Sequence, residues 1–198
     1  MASEVDICNL ALSHVGANST ISSLSEQSEE AFHCNLLYAE LRDSTLRSHP
    51  WGFATKWLAL SDLGSPPGNW TYQYSYPSDC LWARKVLQTN VALGAIPFEI
   101  GIATAGNSPV ILTDQETATL VYTMQVTNTL AFDALFVQAL GWRLAAELTM
   151  PLTRDFEKMQ AALKMFQMMI GEARTIDANE STESVPRSIE ADWISGRA

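Results

Sequence analysis

Three histidines, three cysteines and a scatter of carboxylates are the side chains of this 198-residue chain with the reactivity for acid–base, nucleophilic or metal chemistry. His33 and Cys34 are a histidine–cysteine pair adjacent in sequence. Neighbours on a helix diverge by about 100°, so the two side chains cannot meet as a catalytic dyad. His49 stands before Pro50 at the end of a helical pattern, where it can satisfy a last-turn carbonyl and favour the helix dipole. His14, the third histidine, lies in the first helical pattern. Cys8, Cys34 and Cys80 are odd in number and form no CxxC spacing, which argues against a disulfide framework or a zinc site. Cys8 and Cys34 lie in helical patterns as small buried hydrophobes.

Glycan hydrolysis needs only two carboxylates, and Glu29/Glu30, Asp114/Glu116 and Glu147 with Asp155 are the pairs on offer. Surface carboxylates are ordinarily solvated, and the sequence brings no pair to a defined separation. The GxSxG elbow, HExxH, P-loop and GxGxxG patterns are all missing. The expectation is a protein with no catalytic, cofactor-binding or metal-ligating residues, and not an enzyme.

Composition narrows the class further. Hydrophobic residues make up 47% and charged residues 17%, the balance of a folded chain. A net charge of −10 opposes duplex binding, which requires lysine and arginine to neutralise phosphates. The same charge suits a wall past which DNA must slide without sticking. No apolar run is long enough to cross a bilayer, and Met1–Asp6 lacks the pattern of a signal peptide, so a cytosol-like compartment is expected.

The elements behind these residues follow from periodicity. Ser3 caps a first helix with Ile7, Leu10, Ala11 and Val15 on one face and Gly16 as its stop. A second helix starts after Ser25, with Glu26, Glu29 and Glu30 in its opening turn. Its apolar surface is wide: Ala31, Cys34, Leu37, Tyr38 and Leu41, with Phe32, Leu36, Ala39 and Leu46 beside them. Such a surface predicts packing against more than one neighbour. Pro50 breaks this helix at His49.

The alternation Trp70–Tyr76 predicts a strand, followed by strand-like pieces at Leu81–Leu87, Phe98–Ile102, Val110–Thr113 and Ala118–Met124. A mostly buried helix runs from Phe132 to about Met150 and is ended by Pro151. Arg143 and Glu147 are spaced to pair on its wetter edge. Thr153 caps a last helix whose Phe156, Met159, Leu163, Phe166, Ile170 and Ala173 form a seam, suited to an intramolecular bundle or to a coiled coil between chains. From Asp177 the pattern stops, yet the polar tail carries Ile189, Trp193 and Ile194. Apolar anchors on a polar terminus are what a segment needs to dock on another surface.

The expected fold is mainly α: an antiparallel helical bundle (residues 1–56 and 127–178), an inserted small β-rich lobe (57–126) and an extended C-terminal docking arm (179–198). Pro50, Trp51 and Phe53 read as a structural corner, with proline forcing a turn and two rings burying a large area beyond it.

The block Leu41–Thr55, with Leu46-Arg47 and Pro50-Trp51-Gly52-Phe53 at its centre, resembles one found in phage tail tubular protein A-like proteins, the head-to-tail adaptors of tailed bacteriophages. Three later blocks resemble that family in the same order: Tyr76–Leu81, Phe136–Thr153 and Asp177–Arg197. The resemblance implies a structural virion protein at the head–tail junction, assembled in the host cytoplasm. It implies a ring, twelve copies in such adaptors, between the portal protein above and the tail nozzle or next tail component below, lining the DNA channel. It further implies that the arm docks on the portal, through Ile189, Trp193, Ile194 and Arg197. Twelve copies at −10 each would carry about −120, enough to discourage DNA from adhering as it passes. Another head-completion or stopper ring protein is the alternative, and a virion-associated glycan hydrolase a more distant one. No cofactor and no membrane is implied.

Overall fold

In a computed structural model, residues 2–17, 19–64, 66–88, 96–103 and 106–180 are described. The elements run α1 (Glu4–Val15), α2 (Glu29–Arg47), β1 (Thr55–Ala59), β2 (Tyr72–Ser75), β3 (Cys80–Gln88), β4 (Glu99–Ile102), β5 (Pro109–Thr113), β6 (Ala118–Met124), α3 (Ala134–Thr153) and α4 (Phe156–Glu180).

The expectation of a mainly α protein with a small lobe is overturned. The chain is mixed α/β, 49% helical and 21% strand, with two three-stranded antiparallel sheets. Their orders are β1-β6-β3 and β2-β5-β4. The β region is more than an appendage because the sheets enclose a core of their own. Tyr74, Ala83, Val86, Ile111, Leu120 and Tyr122 are buried together there.

α3 is the centre of the helical layer, packing on α1, α2 and α4. It achieves close approach through Gly141, where an added Cβ would lie 2.9 Å from Leu10 Cδ2 of α1. Phe136, Leu140, Leu144 and Leu148 are fully buried, in keeping with an almost wholly apolar helix. Arg143 and Glu147 pair at 3.3 Å on its wetter edge. In α4 the seam is covered along most of its length: Ile170 and Ala173 are buried, Met159, Leu163 and Phe166 are half-buried, and Phe156 at its start is exposed. That seam lies along α3, within one chain.

Caps explain several boundaries. Ser3 and Asp6 form a reciprocal capping box on α1, and Gly16 closes it in the left-handed conformation. α2 begins at Glu29 under Ser28, not after Ser25, because Glu26 is turned back to accept from the Ser22 amide and hydroxyl. α3 continues through Pro151 to Thr153. Pro151 offers no amide to Glu147 O, so this last turn holds without that bond, with the Thr149 and Thr153 hydroxyls donating to Ala145 O and Thr149 O. Arg154 then ends the helix at φ 55°, its amide donating to Thr149 O. Thr153 therefore belongs to α3, and Asp155 caps α4 by accepting from the Lys158 amide at 3.0 Å.

Polar contacts join the two layers. Gln125 donates to Asp43 Oδ2 at 2.6 Å, and Arg47 donates to Leu81 O. Asp79 accepts from Lys56 and from the Tyr122 hydroxyl, each at 2.7 Å, beside the entry to β3. Burial pushes the Asp79 carboxyl up, but these hydrogen bonds and the Lys56 charge outweigh it and leave it below the usual carboxylate value.

Candidate functional site: the corner beneath the end of helix α4

The corner is built where α2 stops. Thr45 O, in the last turn, accepts from the Ser48 amide (3.2 Å) and hydroxyl (2.7 Å) and from Trp51 Nε1 (3.2 Å). Pro50 turns the chain, and Gly52–Ala54 makes one 3-10 turn into β1. Thr55 fixes that turn by donating its hydroxyl to Trp51 O at 2.6 Å. Trp51 is buried and meets Phe136 of α3 edge-on at 5.3 Å, with Phe53 at 5.8 Å and His49 at 4.7 Å. Phe132 completes the cluster, 5.0 Å from Phe136 and 6.0 Å from Phe53. Pro50, Trp51 and Phe53 thus lie together as a packed corner between the helices and the first strand.

Asp177, in the last turn of α4, is clasped to this corner. Its Oδ1 accepts from the Gly52 amide at 2.8 Å, and its Oδ2 lies 3.0 Å from His49 Nε2. Glycine at 52 suits that approach, since a Cβ there would stand 3.3 Å from the carboxylate. Arg84 of β3 closes the far side, donating to Pro50 O at 3.2 Å and to Thr55 Oγ1 at 2.7 Å. Burial pulls the Arg84 guanidinium down, and the nearby Asp177 charge opposes this. A cavity of about 430 Å³ opens at the corner, lined by Trp51, Phe53, Phe132, Asp133, Asp177 and Glu180 among others.

Sequence reasoning identified the aromatic half of this corner and missed Asp177 and Arg84. A signal was present for Asp177. A carboxylate in a helix's last turn opposes the dipole, so its presence calls for partners elsewhere.

The remaining chemistry-bearing residues are dispersed. His49 has a carboxylate partner, and no nucleophile is hydrogen-bonded to it among the described residues. His14 stacks on Trp142 with centroids 3.7 Å apart, and burial pushes its pKa down by disfavouring the charged form. His33 edges the Phe32 ring. Cys8 and Cys34 are buried; their mutual hydrogen bond and burial push the Cys8 thiol up, away from nucleophilic character. Of the carboxylate pairs, Asp114 accepts from Thr71, Glu147 pairs with Arg143 and Asp155 caps α4. None of the six carboxylates lines either described cavity. The larger of the two, about 930 Å³, is lined by Gln73, Ser75, Tyr76, Ser78, Cys80, Ser108 and apolar neighbours, with no charged group among the described residues. Among the described residues, no group of three or more His, Cys, Asp or Glu side chains is placed to hold a metal. No helix among them is long and apolar enough to cross a membrane.

Ile189, Trp193, Ile194 and Arg197, the expected portal-docking residues, lie outside the described residues. No family model matches the chain, and no curated protein matches it.

Proposed function

We propose that this chain is a structural virion subunit, a head-to-tail adaptor that forms a ring between portal and tail and lets DNA pass without binding it. One observation supports the reading above the others. Two of the blocks that resemble the adaptor family, Leu41–Thr55 and the segment starting at Asp177, are far apart in sequence and meet at the corner.

The physical logic is that of an anchored arm. The Asp177 clasp fixes the origin of the segment that follows Glu180, and Trp51 and its aromatic neighbours make that origin rigid. Ile189, Trp193 and Ile194 then supply the apolar anchors for the portal, with Arg197 at the rim. Docking from a fixed origin makes the contact with a neighbouring site effectively intramolecular.

The test is imaging of the purified chain with and without its cognate portal. A stoichiometric ring seated on the portal, lost on Trp193→Ala, is the expected result. A chain that leaves the portal bare under all conditions refutes the reading.

A further inference from the structure

Phe32 and Leu36 on α2 and Trp57 on β1 are the three most exposed large hydrophobic side chains among the described residues, each 60–62% accessible. Phe32 and Leu36 stand one helical turn apart, with exposed Ala39 continuing their stripe. α2 buries its opposite side, through Ala31, Cys34, Tyr38, Leu41 and Thr45. Among the described residues, nothing covers the outer stripe. Glu29 and Glu40 flank it, and neither has an ion-pair partner among the described residues.

The complementary surface is the outer face of the β1-β6-β3 sheet. Trp57 of β1, Val121 of β6 and Lys85 of β3 are directly aligned, and Thr123 aligns with Trp82. Val121 and Thr123 on the middle strand are buried, while Trp57 and Trp82 are exposed on either side. Lys85 and Trp57 approach each other from either side of Val121, so what this face presents outward is the side chains of Trp57, Lys85 and Trp82. Lys85 lies 6.0 Å from the Trp57 ring centroid and has no carboxylate partner among the described residues. One surface is therefore an apolar helical ridge edged by carboxylates. The other is a tryptophan-flanked sheet face edged by an ammonium.

We propose that these two surfaces seat on each other between copies of this chain, α2 of one copy lying across the outer sheet face of the next. The ridge and the sheet face are different patches, so the contact is head to tail, the arrangement that closes into a ring when its rotation permits. The inference rests on the ring reading above and supplies the contact between neighbouring subunits. Opposite charge at the edges selects the register, with Glu29 or Glu40 of one copy facing Lys85 of the other.

The experiment uses the full chain in a Cys80→Ser background, without portal. Leu36→Cys and Trp57→Cys are made in separate chains and mixed under mild oxidation. A disulfide-linked dimer in the mixture and none in either variant alone is the expected result. In sedimentation equilibrium, Trp57→Ala weakens self-association by about thirtyfold. Lys85→Glu weakens it several-fold, and mixing that variant with Glu40→Lys restores it. Circular dichroism confirms that each variant is folded. A Leu36→Cys homodimer would mean that α2 meets α2, and it overturns the proposal. So does a chain that stays monomeric at its highest soluble concentration with no mixed cross-link, which would assign both faces to another protein. Seating on the portal is scored separately, so rings without this cross-link sink the inference and spare the adaptor reading.

Discussion

Replacing Trp51 by alanine probes the corner most directly. The indole is buried, touches Phe136, Phe53 and His49, and closes the space between α2 and α3. Removing a buried tryptophan costs about 3–5 kcal/mol through lost transfer energy and the cavity left behind. The hydrogen bond from Nε1 adds little to that figure. Thr45 O keeps the Ser48 amide and hydroxyl as donors, so no buried acceptor is orphaned and the loss stays near 0.5–1 kcal/mol. Trp51→Phe, which keeps most of the ring, should then cost about 1–2 kcal/mol, from the missing hydrogen bond and a smaller void. Urea unfolding followed by far-UV circular dichroism measures both variants. In a chain of this length the alanine change should lower Tm by about 6–20 °C. A loss below about 1 kcal/mol for alanine contradicts the cavity argument. Equal losses for phenylalanine and alanine would assign the corner to the indole hydrogen bond instead.

Asp177→Ala should remove protection of the Gly52 amide from hydrogen exchange and destabilise the chain by about 1–3 kcal/mol, because a partly buried charged acceptor is lost. Truncation after Glu180 should leave Tm within about 2 °C and abolish portal binding; a large fall in Tm would show that the tail packs on its own domain. The Asp79 carboxyl is held below its unfolded value, so it contributes stability that is fully present above that value, near pH 4, and is lost as pH falls through the folded pKa. The stability difference between the natural chain and Asp79→Asn should therefore shrink on acidification below about pH 4, as read from urea midpoints. His14 should titrate below the usual histidine range in NMR, since burial disfavours its charged form.

Periodicity carried the strands well. The pieces expected at Leu81–Leu87, Phe98–Ile102, Val110–Thr113 and Ala118–Met124 all became strands with small end shifts. What periodicity could not convey was their weight. Five short runs look like a minor lobe until pairing reveals two sheets with a shared apolar interior, and pairing is a non-local property. β1 was missed because it follows the proline corner at once and alternates around an exposed Trp57. The start of α2 was misplaced because Ser25 and Ser28 are chemically equal caps, and only the turn made by Glu26 chooses between them. At the corner the aromatic residues announced themselves by size. Asp177 and Arg84 were hidden because each acts on backbone groups far away in sequence.

The pairing of β1 with β6 has an architectural consequence. Thr55 lies opposite Thr123, so the chain enters and leaves the β region at adjacent points. To the helical layer, some seventy residues from β1 to the end of β6 behave as a short bridge between α2 and α3. Such a segment is modular: it can be lengthened, shortened or exchanged at its far end while the four helices keep their places. The near ends of β3 and β6 are held to the helices through Leu81, Arg84 and Gln125, so the freedom to vary lies at the far end of the sheets.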